Sequence, residues 1–295
     1  MTGSDTYQKK RILIQLDPDP HPSVFDSVVA LDAGADTLLP YGGVTSDQVQ
    51  NLVHGAIFTR GSEDLHNTAI FIGGSNVSDG EALLKAALQS FFGPLRVSVM
   101  LDPNGSNTTA AAAVLVAAKE CPLAGAIAVV LAGTGPVGRR AARLLARGGA
   151  IVRVGSRSIE RAATVCQEVQ QLLDGGSLSP HDTETDEQVA AVLNGAQMVI
   201  AAGAAGVRLL SADVLRSTSG LKVAIDLNAV PPAGIDGIEV VDRAVQRGAI
   251  TCYGAIGVGS IKMKIHKAAI RRLFDQNHLV LDAEEIYTLA AEIGL

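Results

Sequence analysis

Residues 126–138 read AIAVVLAGTGPVG, an apolar run followed by three glycines in G-x-G-x-x-G spacing. The run Ala126–Ala132 predicts a buried β-strand, and the amphipathic segment Val137–Arg147 predicts a helix. Glycines with this spacing between a strand and a helix are typical of dinucleotide-binding (Rossmann) units. A glycine-rich turn without a ligand is the alternative.

Each glycine of the motif has a separate physical task. Gly133 permits the tight turn, Gly135 lets the backbone approach a pyrophosphate, and Gly138 lets the helix pack closely on the strand. The unpaired N–H groups and the positive dipole end of the helix N-terminus then favour an anion. The predicted cofactor-binding residues of this turn are Gly133, Thr134, Gly135, Pro136, Val137 and Gly138.

The end of the next predicted strand indicates which dinucleotide is bound. An NAD site places Asp or Glu there, about 20 residues beyond the glycines, to accept from the ribose 2′-hydroxyl. Residues 154–158 read VGSRS instead, and the hydroxyl of Ser156 and the guanidinium of Arg157 suit a 2′-phosphate. We therefore predict NADP as the cofactor, and use of NAD as well is the alternative.

Two loops of small residues farther along the chain are expected at the same cofactor. AAGAAG (201–206) supplies Ala202 and Gly203, and DLNAVPP (226–232) supplies Asn228. Both follow predicted strands, and the crevice outside the strand carboxyl ends is where a Rossmann ligand lies. An ordinary β–α turn is the alternative for both.

Strands and helices alternate along the rest of the chain. This alternation predicts an α/β protein of two domains, a Rossmann dinucleotide-binding domain plus an α/β substrate domain, with doubly wound parallel sheets. The predicted boundaries are 123–259 for the Rossmann domain and 1–122 for the substrate domain, which the C-terminal helices 260–295 complete. The polar stretch Asp174–Asp186 is interpreted as a loop, and a late helix is expected at Ser260–Phe274.

The composition disfavours several other classes of protein. The 295 residues include no Trp and carry a net charge of −6, so nucleic acid is not an expected partner. No apolar run is long enough for a membrane span, and the polar N-terminus MTGSDTYQKKR is not a signal peptide. Three isolated cysteines fit a reduced cytoplasm and supply no zinc site, and no other metal site is predicted.

Three polar clusters follow predicted strands of the first domain. Such loops gather at one edge of a parallel sheet and line a cleft, so their side chains are candidates for binding substrate. For Asp17 and Asp102 the alternative is that they cap turns and helix starts. The candidate substrate-binding residues are Asp17, Asp19 and His21, then Tyr41, then Asp102, Asn104, Ser106 and Asn107.

Eight segments with unusual residue combinations span nearly the whole chain. They are DPDPHPSVFD (17–26), YGGVT (41–45), FIGGS (71–75), FFGPLRVSVMLDPNGSNTTAAA (91–112), VVLAGTGPVG (129–138), NAVPPAGI (228–235), GAIGVGSIKMKIH (254–266) and LDAEEIY (281–287). In these segments the chain resembles the methylene-tetrahydromethanopterin dehydrogenases of one-carbon metabolism. The resemblance implies a two-domain enzyme with the pterin in the interdomain cleft, and a homo-oligomer, most like a trimer. Members use NADP alone or both cofactors, and they accept tetrahydromethanopterin, tetrahydrofolate or both.

The resemblance also implies the reaction. A methylene bridge between two pterin nitrogens is oxidised to a methenyl group, and a hydride passes to the nicotinamide. No proton leaves in that step, so positioning and electrostatics are expected to replace a general base. Lys262 matches the family's active-site lysine. We expect it to orient the pterin by hydrogen bonding, because an ammonium beside the cationic product would raise the barrier.

Several alternatives remain at this stage. Lys262 and Lys264 are also interpretable as solvated positions on the first turn of a helix, and His21 and His266 are weaker candidates for catalysis. A second function is another two-domain NADP oxidoreductase, of the shikimate dehydrogenase or glutamyl-tRNA reductase type. A third is a non-catalytic NADPH-sensing protein. Turnover of a methylene pterin with NADP would separate the first function from both others.

Overall fold

The computed structural model describes residues 9–295, and the start of the polar N-terminus, residues 1–8, lies outside the described residues. The chain divides into two compact units. The N-terminal unit consists of the chain up to Gly105 together with Ile265–Leu289. The central unit consists of Ser106–Lys264 and Ala290–Leu295.

Strands and α-helices alternate through the described residues, as the sequence predicts. In chain order they are β1 (Ile12–Leu16), α1 (Val24–Asp32), β2 (Thr37–Tyr41), α2 (Ser46–Ile57), β3 (Thr68–Ile72), α3 (Val77–Gln89), β4 (Ser98–Leu101), α4 (Ser106–Glu120), β5 (Ile127–Leu131), α5 (Pro136–Arg147), β6 (Ile151–Ser156), α6 (Ile159–Gln170), β7 (Ser177–Asp182), α7 (Asp186–Leu193), β8 (Met198–Ala201), α8 (Ala212–Ser217), β9 (Val223–Asp226), β10 (Val245–Arg247), β11 (Ile250–Tyr253), α9 (Ala255–Arg272), β12 (Val280–Leu281) and α10 (Ala283–Glu292).

The N-terminal unit is built on a five-stranded sheet with the order β12–β4–β3–β1–β2. Every neighbouring pair is parallel. β3 and β4 are buried along their whole length, as expected for parallel strands covered on both faces. Apolar side chains of these strands pack against α2 and α3, with Val53, Ile57 and Leu83 at the centre of that core.

The central unit is built on a seven-stranded sheet with the order β10–β11–β9–β8–β5–β6–β7. All pairs are parallel except β10 with β11, an antiparallel hairpin at one edge. The strand order reverses between β5 and β8, which is the switch point where such sheets bind ligands. The predicted α/β class with parallel sheets is confirmed.

Two sequence interpretations of secondary structure are corrected by the structure. The polar stretch Asp174–Asp186 contains the strand β7, whose half-buried residues pair with β6 at the sheet edge. An edge strand needs no apolar alternation, so the polar run SLSPHD conceals it. The helix expected from Ser260 begins at Ala255, inside the small-residue segment YGAIGVGS (253–260).

No helix within residues 9–295 is both long and apolar enough to cross a membrane.

Candidate active site

The glycine turn after β5 depends on the absence of side chains at two of its three glycines. A Cβ at Gly138 would lie 2.7 Å from the Cα of Gly133, and one at Gly133 would lie 2.8 Å from Cγ1 of Val154. The left-handed backbone conformation falls at Ala132, with φ 53°, so Gly133 is required for space rather than for its own φ. The turn therefore brings α5 against β5 closely enough to point the helix N-terminus at the sheet edge.

Gly135 differs from the other two glycines because the space beside it is open. A Cβ there would meet nothing nearer than the carbonyl oxygens of Ala132 and Ala202, both at 3.7 Å. Gly135 is the N-cap of α5, and Pro136 is its first helical residue, where the missing N–H costs no helical hydrogen bond. The backbone of the turn is thus accessible to a phosphate group.

A cleft of about 570 Å³ lies at this edge of the central sheet. This volume is typical of a cofactor site. The predicted residues that line it are Thr134, Gly135, Ser156, Arg157, Ala202 and Gly203. Gly133, Val137 and Gly138 shape the turn behind the lining.

The cleft also contains charged and polar residues that the sequence analysis did not select. Arg161 and Arg208 line it together with Thr183 and the two carboxylates Glu184 and Asp186. Arg161 lies four residues after Arg157, in the first turn of α6, and an S-R-S-x-x-R pattern beginning at the strand end was the available signal. Arg208 forms an ion pair with Asp236, at 3.4 Å between Nη1 and Oδ2, and no motif marks it.

Glu160 is the carboxylate nearest to Arg157 in the sequence, and it is hydrogen-bonded at the start of α6. Glu160 accepts a hydrogen bond of 2.8 Å from the hydroxyl of Ser158, the N-cap residue of α6. That bond and the backbone N–H of Glu160 itself lower its pKa, with the backbone contribution the larger. Glu160 does not line the cleft, so the guanidinium groups of Arg157 and Arg161 meet no carboxylate from the first turn of α6.

Asn228 has a supporting position beside the cleft. It is buried, and its Oδ1 accepts from the N–H groups of Val230 and Gly206 while its Nδ2 donates to the carbonyl of Pro232. These bonds tie the loop after β9 to the loop after β8. Contact of Asn228 with a cofactor stays a prediction.

The buried carboxylate of Asp226 anchors the same loop. It accepts hydrogen bonds of 3.0 Å from the N–H groups of Asn228 and Ile235. Burial raises the pKa of Asp226, and the backbone hydrogen bonds oppose this shift. Because a Cβ at Gly234 would lie 2.6 Å from the carboxylate, the NAVPPAGI segment needs a glycine at that point.

Lys262 lies two turns into α9 and is half-buried. The start of this helix is held against the segment 239–242, since the N–H of Ile256 donates to the carbonyl of Val240 and that of Gly254 to the carbonyl of Asp242. A Cβ at Gly254 or Gly257 would overlap carbonyl oxygens of the same segment. The two glycines therefore determine where α9, and with it Lys262, leaves the sheet.

In the N-terminal unit, loops from four strands interlock at the carboxyl edge of the sheet. Asp17 is fully buried, and its two oxygens accept from the backbone N–H groups of Asp19 (2.9 Å) and Ser23 (3.1 Å). Asp19 accepts from both the backbone N–H and the hydroxyl of Ser75, at 2.8 and 2.9 Å. Ser75 belongs to the FIGGS segment and was not selected from the sequence.

The pKa of Asp17 is raised by burial and, to a smaller extent, by the charge of Asp19, while the two backbone N–H groups lower it. The main use of both carboxylates in this structure is to hold the loop 17–23 in place. This is the capping alternative of the sequence analysis for Asp17. Contact of Asp17 and Asp19 with substrate stays a prediction.

Glycines and prolines make the interlock dense. A Cβ at Gly42 would overlap the carbonyl of Pro20, and one at Gly74 would lie 2.6 Å from the ring of Pro18. The N–H of Asn104 donates to the carbonyl of Gly74 at 2.6 Å, which joins the fourth loop to the third. The parallel pairing of β1 to β4 brings the predicted residues to one edge of the sheet. They are Asp17, Asp19, Tyr41, Asp102 and Asn104.

The predicted substrate residues differ in accessibility. His21, Tyr41 and Asn104 are exposed, whereas Asp102 is fully buried. His266 is also fully buried, 3.9 Å from Asp102 between Nδ1 and Oδ2, and its ring stacks on Phe71 with the centroids 5.6 Å apart. These contacts identify His266 as a core residue of the N-terminal unit.

Ser106 and Asn107 lie in the central unit, where both are buried in the first turn of α4. The guanidinium of Arg140, on α5, donates from Nε to Oδ1 of Asn107 and from Nη1 to the carbonyl of Pro136 at 3.3 Å. A buried arginine thus joins the DPNGSN segment to the helix that begins at the glycine turn. Arg140 was not predicted as a site residue, because two arginines in an amphipathic helix usually face solvent.

Comparison with known proteins decides the family. The family model described as methylene-tetrahydromethanopterin dehydrogenase, N-terminal, matches residues 24–104. The "Bifunctional protein MdtA" of Methylorubrum extorquens is 44% identical over 287 residues, covering 97% of this chain and 99% of that protein. The chain belongs to the methylene-tetrahydromethanopterin dehydrogenase family.

A second protein of Methylorubrum extorquens, the "NAD(P)-dependent methylenetetrahydromethanopterin dehydrogenase", is 37% identical over 295 residues and covers 97% of this chain and 99% of its own. Among solved structures, shikimate 5-dehydrogenase from Listeria monocytogenes has a TM-score of 0.52 at 12% identity, covering 100% of this chain and 99% of that one. That likeness concerns the fold alone. Family membership therefore favours the first function of the sequence analysis over the shikimate dehydrogenase type.

Proposed function

We propose that this chain transfers a hydride from 5,10-methylene-tetrahydromethanopterin to NADP and so forms the methenyl pterin in one-carbon metabolism. The observation that carries the proposal is the cleft at the glycine turn of a methylene-tetrahydromethanopterin dehydrogenase family member. Ser156, Arg157 and Arg161 line that cleft, and residues 154–158 at the end of β6 contain no carboxylate of the kind that selects NAD. The carboxylates in the lining, Glu184 and Asp186, come from the segment after β7.

The residues of the cleft fit NADP. Gly135 leaves room for the pyrophosphate, and the N-terminus of α5 supplies N–H groups toward it. The guanidinium groups of Arg157 and Arg161 suit a 2′-phosphate, because Arg binds phosphate oxygens in a fork. NAD is the alternative cofactor, because it lacks the 2′-phosphate and its binding does not depend on these arginines. When bound, the nicotinamide supplies the hydride acceptor.

The protein's part in the reaction is to bind and orient, because no proton moves in the hydride step. We propose that Lys262 orients the pterin by donating a hydrogen bond from a point away from the bridging carbon. An ammonium close to that carbon would repel the amidinium cation as it forms. Carbonyl and carboxylate oxygens near the bridge would instead stabilise it.

For pterin recognition we propose the carboxyl edge of the N-terminal sheet, within a pterin domain of residues 1–122 and 260–295. The exposed side chains there are His21, Tyr41 and Asn104, and Asp19 retains partial exposure. Asp17 and Asp102 are proposed to act from buried positions. Asp17 keeps the loop of Asp19 and His21 in shape.

Two wider proposals accompany this one. The free, buried state of Cys121, Cys166 and Cys252 suits a reducing compartment, so we propose the cytoplasm as the location. We also propose a homo-oligomer, a trimer by the resemblance. Sedimentation of the purified protein at several concentrations would test the assembly, and a single monomeric species throughout would refute it.

The experiment that tests the function is a two-by-two kinetic comparison. Initial rates are measured with methylene-tetrahydromethanopterin and methylene-tetrahydrofolate, each against NADP and NAD. We expect the highest kcat/KM with tetrahydromethanopterin and NADP. Absence of turnover with either pterin, while NADPH still binds tightly, would refute the enzyme and favour a sensing protein.

A further inference from the structure

A second cavity, of about 550 Å³, opens on the central unit at the amino ends of β9 and β11. Since these strands are parallel to β5, the cavity lies at the sheet edge opposite the glycine turn. None of its lining residues belongs to the cofactor cleft. The proposed hydride transfer therefore gives it no role.

The inner wall of the cavity is apolar. Leu215 of α8, Leu221 before β9, Ile250 and Cys252 of β11 form it, and all four belong to or pack against the core of the central unit. Cys252 is fully buried, and burial raises the pKa of its thiol while the neighbouring Arg247 lowers it less. At neutral pH Cys252 therefore acts as part of an apolar wall and not as a nucleophile.

The rim of the cavity carries charge of both signs. Arg216 and Arg247 contribute two guanidinium groups, and Asp236 contributes one carboxylate. All three are already paired with residues outside the cavity lining: Arg216 with Asp213, Arg247 with Asp242 at 2.6 Å, and Asp236 with Arg208 at 3.4 Å. A guanidinium has five N–H donors, so one carboxylate partner leaves donors for a ligand.

The volume, the apolar wall and the charged rim together define a class of ligand. Pockets of about 300–1,000 Å³ with an apolar lining and a few polar groups hold small molecules. The N–H donors that Arg216 and Arg247 keep after these ion pairs favour a ligand whose polar end is an anionic hydrogen-bond acceptor. We propose that this cavity is a second small-molecule site, which binds a monoanion with an apolar body, such as a medium-chain carboxylate.

The proposal is tested on the full chain saturated with NADP, which keeps probes out of the cofactor cleft. The probes are hexanoate, 1-hexanol and acetate, and binding is followed by saturation-transfer NMR of each probe. We expect saturable binding of hexanoate and at least tenfold weaker binding of both others. Equal binding of hexanol would overturn the anionic class, and no saturable binding of hexanoate would overturn the site.

Two variants locate the binding. Arg216→Gln removes one rim cation, and its exposed ion pair contributes little to folding. We expect it to weaken hexanoate about tenfold, as the loss of one charge-assisted hydrogen bond does. Arg147→Gln, at another exposed helical arginine, is the matched control and should change nothing.

Ala249→Phe adds a ring at a lining residue of the cavity and keeps both arginines. Ala249 has no positive φ, so the backbone of the β10–β11 hairpin accepts a larger side chain. We expect hexanoate binding to fall at least fivefold while the melting temperature and the NADP affinity stay at wild-type values. Unchanged hexanoate binding in both Ala249→Phe and Arg216→Gln would show that the probe binds elsewhere and would refute the proposal.

Discussion

The two parallel sheets of this protein end in loops of opposite character. At the carboxyl edge of the central sheet, the space beside Gly135 is open, and Arg157 and Arg161 line the cleft. At the carboxyl edge of the N-terminal sheet, the loops bind one another, and the oxygens of Asp17 and Asp19 accept from the protein's own N–H and O–H groups. The same topology thus leaves an open cleft in one unit and a polar edge that is hydrogen-bonded to itself in the other.

The largest expected effect tests the open edge at the glycine turn. Gly138→Ala places a Cβ 2.7 Å from the Cα of Gly133 and 2.9 Å from the carbonyl of Ala132, and backbone atoms cannot move aside. We expect about 2–3 kcal/mol lower stability, typical of overpacking, and about 100-fold weaker NADP binding. Urea unfolding and titration calorimetry measure the two effects.

Gly135→Ala is the matched variant, because its Cβ would meet only ordinary contacts at 3.7 Å. It should keep wild-type stability and still weaken NADP binding, since the methyl group occupies the space of the pyrophosphate. Wild-type NADP affinity in Gly135→Ala would contradict the assignment of this turn to the cofactor.

The second prediction concerns Lys262 on α9. Replacement by Ala should lower kcat about 100-fold, the scale of a misplaced substrate, and leave the dissociation constant of NADPH unchanged. Lys264→Ala, an exposed lysine half a turn away, is the control and should retain its rate. A wild-type rate for Lys262→Ala would remove this residue from the site.

The third prediction sharpens the cofactor preference. Arg157→Ala and Arg161→Ala should each raise KM for NADP about tenfold, as expected for losing one charged hydrogen bond to a phosphate. KM for NAD should change less than twofold, because NAD lacks the 2′-phosphate. An equal rise for both cofactors would mean that these arginines do not select between them.

The fourth prediction tests the rigid edge of the N-terminal unit. Ser75→Ala removes the hydroxyl that donates to Asp19, and we expect a stability loss of about 1 kcal/mol. If that edge binds the pterin, KM for the pterin should rise severalfold while KM for NADP stays constant. Ser78→Ala, at an exposed serine on the next helix, is the control. A rise in KM for NADP alone would place the effect in the other unit.

The smallest expected effect is a pH dependence at Tyr253, the last residue of β11. Tyr253 donates a hydrogen bond of 2.7 Å to Glu120, and burial first and that carboxylate second raise its pKa well above the ordinary value. Because the unfolded chain ionises near pH 10 and the folded chain does not, stability falls as pH rises above that value. Between pH 7 and 10.5 the free energy of unfolding of Tyr253→Phe should therefore fall by about 0.8 kcal/mol less than that of the wild type. Parallel urea unfolding curves measure this, and identical losses would contradict the shift.

Local pattern was sufficient for the fold class and for most of the cofactor cleft. The β-branched run before Gly133 predicts its strand, and the small residues at 202–203 predict their loop, because neighbours in sequence define both patterns. Arg208, Ser75 and Arg140 were not found, because each acts through a partner far along the chain: Asp236, Asp19 and Asn107. The strand β7 was missed for a similar reason, since its pairing with β6 and not its own polar sequence defines it.

The sequence by itself determined the alternation of strands and helices, the glycine turn and the family, and it predicted NADP as the cofactor. These properties depend on residues a few positions apart, where periodicity and backbone sterics act directly. Only the tertiary structure decided that the carboxylates of Asp17 and Asp19 serve their own loops and that a second cavity lies behind β9 and β11. Hydrogen-bond partners and empty space arise when distant segments pack together, so no short stretch of sequence specifies them.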